Sequence, residues 1–164
     1  MRHMFGVEMQ IPKGKLPGFY AQVIHKIGDA VAVFDRDQQL LIVESETERD
    51  KLLAILSKHD MVADEFGLWL VPEEMDVPLL DDYGFTSVSG RRYLYDHLAA
   101  PFAVPDQAGA DKDRWAALEQ LREHLIGTPL QLDGGSVCFA DASQTELIEG
   151  IAKAFQVTVE WQSV

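Results

Sequence analysis

The first segment of the chain alternates apolar residues with polar or small ones. Every second position from 5 to 11 is apolar, and Gly6, Glu8 and Gln10 lie between them. This spacing is typical of a β-strand with one buried face. The loop that follows leads to Pro17, a residue that suits the first turn of a helix because its φ angle is already helical.

A helix and a hairpin are predicted next. Apolar residues follow helical spacing from Pro17 to Ile27, and Gly28 is the expected left-handed cap of that helix. Two short apolar runs, 30–34 and 40–43, flank a polar stretch. This pattern predicts two strands joined by a turn.

The first half closes with a second helix and a strand. Ser45 followed by Glu48 is the signature of a capping box, in which each residue satisfies an orphan N–H group of the helix start. The closing strand is predicted between Met61 and Val71, most clearly at the apolar run 68–71. The order is therefore strand, helix, strand, strand, helix, strand, which is the split βαβ or ferredoxin-like arrangement.

Two short phrases recur almost a hundred residues apart. The phrase His-x-Ile-Gly at 25–28 returns at 124–127, and Ser-x-Thr-Glu at 45–48 returns at 143–146. Each phrase suits a helix boundary, so the repeat indicates a duplicated supersecondary unit. We predict an α+β fold of two tandem ferredoxin-like (βαββαβ) halves related by this internal repeat. A single α+β domain with coincidental cap chemistry is the alternative.

The predicted domains are residues 1–76 and 84–164, which could also pack intimately as one domain. An acidic link at 72–83 separates them, and the first strand of the second half falls at either 85–88 or 93–95. Residues 99–110 read as a loop or an insertion. The later elements are a helix from Asp111, a hairpin around 133–135, a last helix started by Ser143 and Glu146, and a strand at 157–161.

Composition narrows the function classes. The 164 residues carry 27 acidic and 14 basic side chains, a net charge of −13, so nucleic acid and anionic membranes are not expected partners. No apolar run is long enough to cross a bilayer. A single cysteine, Cys138, suits a reducing compartment, and we expect a cytoplasmic protein. The composition is also compatible with a homodimer.

The sequence contains no assembled catalytic or metal motif, so no catalytic residue, metal ligand or cofactor is predicted. Asp35-x-Asp37-x-Gln39 opens like a calcium loop, but Leu40 replaces the required glycine. The cations, phenols and imidazole at 91–97 are the best enzymatic candidate, centred on His97. An enzyme that uses this segment is therefore one hypothesis for the function, the third beside the two that follow.

The strongest compositional signal is acidic. No Lys or Arg lies between His59 and Gly90, and aromatic residues are interleaved with the acids there. Acids around aromatic anchors suit a basic protein surface, although a solvated linker would have the same composition. We predict a non-catalytic binding protein of the inhibitor, immunity-protein or specific-chaperone type. Its predicted partner-binding residues are Asp64, Glu65, Trp69, Glu73, Glu74, Asp76, Asp81, Asp82 and Tyr83.

A second hypothesis comes from the Lys-Leu-Pro-Gly-Phe stretch at 15–19, which leads from a strand into a helix. This stretch resembles the Pro-Gly turn of ACT domains, small regulatory modules of βαββαβ order that often occur in tandem. The resemblance covers roughly the first 70 residues. It implies that an amino acid or another small ligand binds near Leu16, Pro17 and Gly18.

Overall fold

The computed structural model describes residues 1–106 and 110–164; part of the loop expected at 99–110 lies outside this range. The chain divides into two compact units. The N-terminal unit comprises residues 2–70 and 86–93, and the C-terminal unit comprises Met1, residues 71–85 and residues 94–164. The predicted domain bounds at 76 and 84 stay a prediction. The protein is an α+β structure with two antiparallel sheets and five α-helices in its described residues.

The N-terminal unit has the predicted order of elements. A sheet of order β2-β3-β1-β4 is extended by two short strands, β7 and then β6, which contribute residues to both units. The elements are β1 (Arg2–Met9), α1 (Pro17–Ala30), β2 (Asp35–Asp37), β3 (Leu40–Val43), α2 (Glu46–Ser57), β4 (Val62–Leu70), β6 (Gly84–Thr86) and β7 (Arg92–Tyr95).

One face of this sheet is covered by α1 and α2. The helices contribute Val23, Ile27, Leu52 and Leu56, all 2 % exposed or less. The alternation of β1 turns Val7 toward them, and Leu41 lies opposite Val7 in the register. Burial of a side chain of this size contributes about 1.5–3 kcal/mol, so the periodicity that predicted these elements also builds the core.

The C-terminal unit has a sheet of order β11-β8-β10-β9-β5. Its core lies between β8, β10 and the two longer helices, around Phe102, Leu118, Leu121 and Ile148. The elements are β5 (Met75–Asp76), α3 (Leu80–Tyr83), β8 (Ala99–Ala103), α4 (Asp111–Leu121), β9 (Leu125–Pro129), β10 (Val137–Asp141), α5 (Thr145–Ala154) and β11 (Glu160–Trp161).

The strand β8 corrects the prediction for 99–110. Its sequence is Ala-Ala-Pro-Phe-Ala, in which alanine and proline are poor strand formers. Tertiary pairing overrides this preference, because β8 is held between β10 and β11. Pro101 has no N–H to donate, but its carbonyl accepts a hydrogen bond from the Gln162 N–H. The predicted positions 85–88 and 93–95 belong instead largely to β6 and β7.

The repeated phrase at 25–28 and 124–127 does not mark equivalent helix ends. Gly28 lies inside α1, which continues to Ala30, and Val31 caps it in an extended conformation. Gly127 lies within β9, and a Cβ atom there would be 3.2 Å from the Phe139 side chain. The predicted left-handed cap at Gly28 is therefore wrong. Core contacts of Ile27 and Val31 extend the helix past the glycine.

The two Ser-x-Thr-Glu phrases also differ in their structure. Ser45 caps α2 as predicted, accepting a hydrogen bond from the Glu48 N–H at 3.2 Å. The Glu48 carboxylate does not complete the box, since it accepts from the Ala32 N–H at 2.8 Å. Ser143 lies in a 3-10 turn that precedes α5, and its N–H donates to the Asp141 carboxylate.

None of the helices in the described residues combines the length and apolar character that spanning a bilayer requires.

Candidate functional site

The most heavily hydrogen-bonded carboxylate of the N-terminal unit is that of Asp35, on the edge strand β2. Its register partner is Ile42, so its side chain lies on the sheet face opposite the helices. Two of its four donors, Ser87 and Ser89, come from a tight turn at 87–91, which is closed by a 2.8 Å hydrogen bond from the Ser87 N–H to the Arg91 carbonyl. Gly90 adopts φ +85° in this turn, a left-handed conformation that favours glycine.

Four short hydrogen bonds converge on Asp35. Oδ2 accepts from the Ser87 hydroxyl and the Tyr93 hydroxyl, both at 2.7 Å. Oδ1 accepts from the Ser89 hydroxyl at 2.9 Å and from the Arg36 N–H at 2.8 Å. Burial by itself would raise the pKa of Asp35, but these hydrogen bonds outweigh it and lower the pKa. The buried carboxylate is therefore ionised and its lone pairs are in use.

The bond between Tyr93 and Asp35 requires the sheet to curl. Three strands separate β2 from β7 in the sheet order, and in a flat sheet the two would be about 19 Å apart. Gly6, at the centre of β1, allows close packing on the inner side of this curve. A Cβ atom at Gly6 would lie 2.9 Å from the Phe66 ring and 3.2 Å from the Leu40 side chain.

Burial and the same hydrogen bond act together on the phenol of Tyr93. Desolvation is the larger cause and the bond to the Asp35 carboxylate the next, and both raise its pKa well above the usual range. Tyr93 is fully buried. The phenol therefore stays protonated and acts as a permanent donor to Asp35.

A row of carboxylates crosses the same sheet face one step beyond Asp35. Asp37 lies opposite Leu40 in the register, Leu40 opposite Glu8, and Glu8 opposite Asp64. We call Glu8, Asp37 and Asp64 the acidic row. Glu8 and Asp64 are exposed and Asp37 is half-buried.

The acidic row has no cationic partner within residues 1–106 and 110–164: none of its carboxylates forms an ion pair there. No group of His, Cys, Asp or Glu side chains in that part of the chain has the arrangement of a metal site. Like charges directly opposite on neighbouring strands destabilise a sheet. The Asp64 carboxylate accepts a 2.8 Å hydrogen bond from the Glu65 N–H, but no described ion pair offsets the repulsion within the row.

The predicted partner-binding residues fall in both units. Asp64 and Glu65 are exposed on β4 of the N-terminal unit. Trp69 is 2 % exposed, and its ring packs edge-on against His3 at 4.9 Å, so it does not lie at the surface. Exposed residues of the C-terminal unit include Glu73, Glu74, Asp76, Asp81 and Asp82.

Tyr83 is half-buried in the C-terminal unit and donates a 2.8 Å hydrogen bond to the Asp141 carboxylate. Asp141 also accepts from the hydroxyl and the N–H of Ser143. The Ser143 bonds, with that of Tyr83, lower the pKa of Asp141. The bond to Asp141 is the main cause of a raised pKa at Tyr83. Tyr83 therefore has an internal role in its unit.

The structure also locates the residues of the ACT-type sensor hypothesis and of the enzyme hypothesis. Leu16 is 79 % exposed at the start of α1, and Pro17 and Gly18 form the exposed first turn. In the segment 91–97, Tyr93 is buried in the Asp35 network, while His97 is exposed with its ring 5.7 Å from that of Tyr95.

The Asp35 network and the acidic row were not predicted from the sequence. In the sequence, Asp35 and Asp37 stand out only as the start of a calcium-like loop and Glu8 only as a polar position of a strand, whereas Asp64 is one of the predicted partner-binding residues. The available signal was an acid at every second position of a short strand, since such acids share one face. Register, however, joins Glu8 to residues 29 and 56 positions away, and no local pattern contains that information.

In comparisons with known proteins, no family model, no curated protein and no solved structure matches this chain.

Proposed function

We propose that the protein is a non-catalytic binding protein whose acidic surface engages a basic protein partner. The observation that carries this proposal is the acidic row, in which Glu8 lies directly opposite Asp64 on a neighbouring strand. Its carboxylates form no ion pair in the described part of the chain. A Lys or Arg side chain from a partner would supply the missing counter-charge.

The physical basis is a difference between the free and the bound states. In the free protein the carboxylates of Glu8 and Asp64 repel each other across the two neighbouring strands. A cation placed between them replaces repulsion with two attractions, and the net charge of −13 accelerates the encounter with a basic surface. The exposed acids of the C-terminal unit, Glu73, Glu74, Asp76, Asp81 and Asp82, add to this long-range attraction.

A pull-down from native lysate with charge-matched variants tests the proposal. The row variant is Glu8→Gln with Asp64→Asn. The control is Glu160→Gln with Glu123→Gln, which removes two exposed acids outside the row, and Glu160 lies opposite Ala103. We expect the wild type and the control to retain the same basic protein at low salt, and the row variant to lose it.

Two results would count against the proposal. Equal loss from both double variants would mean that only total charge matters. If the wild type retained no basic protein at low salt, the proposal of a basic protein partner would be refuted.

We further propose that the two units are copies of one ferredoxin-like unit. The sheet orders β2-β3-β1-β4 and β11-β8-β10-β9 support this, because each has the first strand of its set beside the third and the fourth. The helices α1 and α2 correspond in order to α4 and α5. An experimental structure in which the six elements of one set did not superimpose on those of the other would refute it.

A small-molecule sensor of ACT type is the second candidate. One observation favours it: α1 begins at an exposed Leu16 whose side chain does not cap the helix, and no acid lies in its first turn. Thermal shifts across the amino acids test this candidate, since a ligand at a hundred times its Kd adds about 2.7 kcal/mol. A shift that survives Gly18→Gln would place the ligand elsewhere.

A further inference from the structure

Two arginines of the N-terminal unit meet at one aromatic ring. The Arg2 Cζ atom lies 5.0 Å from the centroid of the Phe34 ring, and the Arg91 Cζ atom lies 4.7 Å from it. The two guanidinium groups are therefore within about 10 Å of each other. Each guanidinium has one carboxylate within ion-pair distance, Glu44 for Arg2 and Asp35 for Arg91.

The carboxylate that lies near Arg91, that of Asp35, is already satisfied by other donors. Asp35 already accepts four short hydrogen bonds, whereas the Arg91 Nη1 atom is 3.9 Å from its Oδ1 atom, beyond hydrogen-bond distance. Arg91 Nη1 donates instead to the Ser89 hydroxyl at 3.1 Å. A guanidinium has five N–H donors, and this is the one hydrogen bond that the Arg91 side chain makes within the described residues.

Arg2 is placed similarly on the other flank of the ring. It forms an ion pair with Glu44, and the two side chains are 55 % and 53 % exposed. Exposed pairs of this kind contribute little to stability and are readily exchanged for another partner. Both arginine side chains, at 55 % and 45 % exposure, are thus open to solvent and able to bind an acceptor.

We propose that Arg2 and Arg91 form a binding site for a small phosphate-bearing anion. A guanidinium fork matches the oxygen geometry of phosphate and binds it through two N–H groups. A phosphomonoester carries about −1.5 to −2 charges at neutral pH and offers oxygens to both guanidinium groups at once, so it can replace Glu44 as the partner of Arg2 and supply Arg91 with the hydrogen-bond acceptor that Asp35 does not. Phe34 holds both cations in place and limits the entropy that they lose on binding.

The site is separate from the acidic row. Arg2 and Glu8 lie six residues apart along β1, which corresponds to about 20 Å in an extended strand. A basic partner and a phosphate anion would therefore occupy opposite ends of the same strand. The two proposals can fail independently.

Titration of the full chain by calorimetry tests the site. The probes are inorganic phosphate, phenyl phosphate and, as the monoanionic comparison, acetate. We expect both phosphates to bind and acetate to bind at least about tenfold more weakly. Arg91→Gln is expected to weaken phosphate about tenfold or more, and Arg91→Lys to weaken it as well, because the charge stays but the fork is lost.

The matched control is Arg122→Gln, which removes an exposed helical arginine paired with Glu119 and should leave phosphate binding unchanged. Near-ultraviolet circular dichroism checks that each variant is folded, and Phe34→Leu supplies a second test that keeps both charges. Phenyl phosphate bound more tightly than inorganic phosphate would identify an organic phosphate as the ligand. Absence of binding at millimolar phosphate, or equal weakening by Arg122→Gln, would overturn the proposal.

Discussion

The Tyr93 hydroxyl donates a 2.7 Å hydrogen bond to the Asp35 carboxylate, joining residues 58 positions apart on strands that three others separate. The bond holds the turn at 87–91 over the face of the sheet that the helices leave uncovered. Because Asp35 is buried and ionised, each of its donors matters: a charge without a partner costs much more in the interior than in water.

Tyr93→Phe is therefore expected to destabilise the fold by about 1–3 kcal/mol, the cost of removing one donor from a buried charge. Urea denaturation at neutral pH measures this change. Tyr20→Phe is the matched control, since its hydroxyl contacts only the exposed Arg36 side chain at 3.1 Å; it should change the free energy of unfolding by less than about 0.5 kcal/mol. Equal effects would mean that the Asp35 network is not a stabilising unit.

The lowered pKa of Asp35 predicts a loss of stability in acid. Its folded-state pKa lies below the ordinary value of 3.8, so the folded state binds fewer protons than the unfolded state. The contribution of Asp35 is fully present above the unfolded-state pKa and is lost as the pH falls through the folded value. Asp35→Asn should be less stable than wild type at pH 7, and the gap should narrow below about pH 5.

Urea denaturation between pH 3 and pH 7 tests this pH dependence. Glu160→Gln is the control because it removes an exposed carboxylate that lies outside the acidic row and makes none of these hydrogen bonds. It should keep the wild-type pH profile. A gap between wild type and Asp35→Asn that stays constant with pH would contradict the assignment of the ionised state.

Glu8→Gln is expected to stabilise the protein. The substitution removes the repulsion with Asp64 across the strand pair, an effect of about 0.2–1 kcal/mol that should shrink as salt screens the charges. The control is Glu160→Gln, because Glu160 is an exposed strand residue opposite Ala103. A loss of stability in Glu8→Gln at low salt would show that the carboxylate has an attractive partner.

Two glycine-to-alanine substitutions should change the stability of the protein in opposite directions. At Gly6 an added methyl would lie 2.9 Å from the Phe66 ring, and overpacking of this kind costs about 1–3 kcal/mol. At Gly28, inside α1, nothing lies within 4 Å, so alanine should stabilise the helix by about 0.5–1 kcal/mol. Thermal unfolding of both variants measures the contrast. Destabilisation by Gly28→Ala would instead favour a left-handed cap at that position.

Most elements of the N-terminal unit could be predicted because their signals are local, but the first hairpin strand, predicted at 30–34, is β2 at Asp35–Asp37. Alternation in β1, Pro17 at the start of α1 and Ser45 at the start of α2 each act within a few residues. The strand β8 could not be predicted, since its alanines and Pro101 have weak strand preference and only its neighbours on both sides stabilise it.

The candidate site depended on tertiary structure to a greater degree. Glu8, Asp37 and Asp64 form a row because three strand registers align, and Asp35 meets Tyr93 because the sheet curls. The sequence by itself determined the hydrophobic period of most elements and the excess of acid, which are additive properties of neighbouring residues. Only the tertiary structure decided which charges face each other, because strand register and sheet curvature are set by packing across the whole unit.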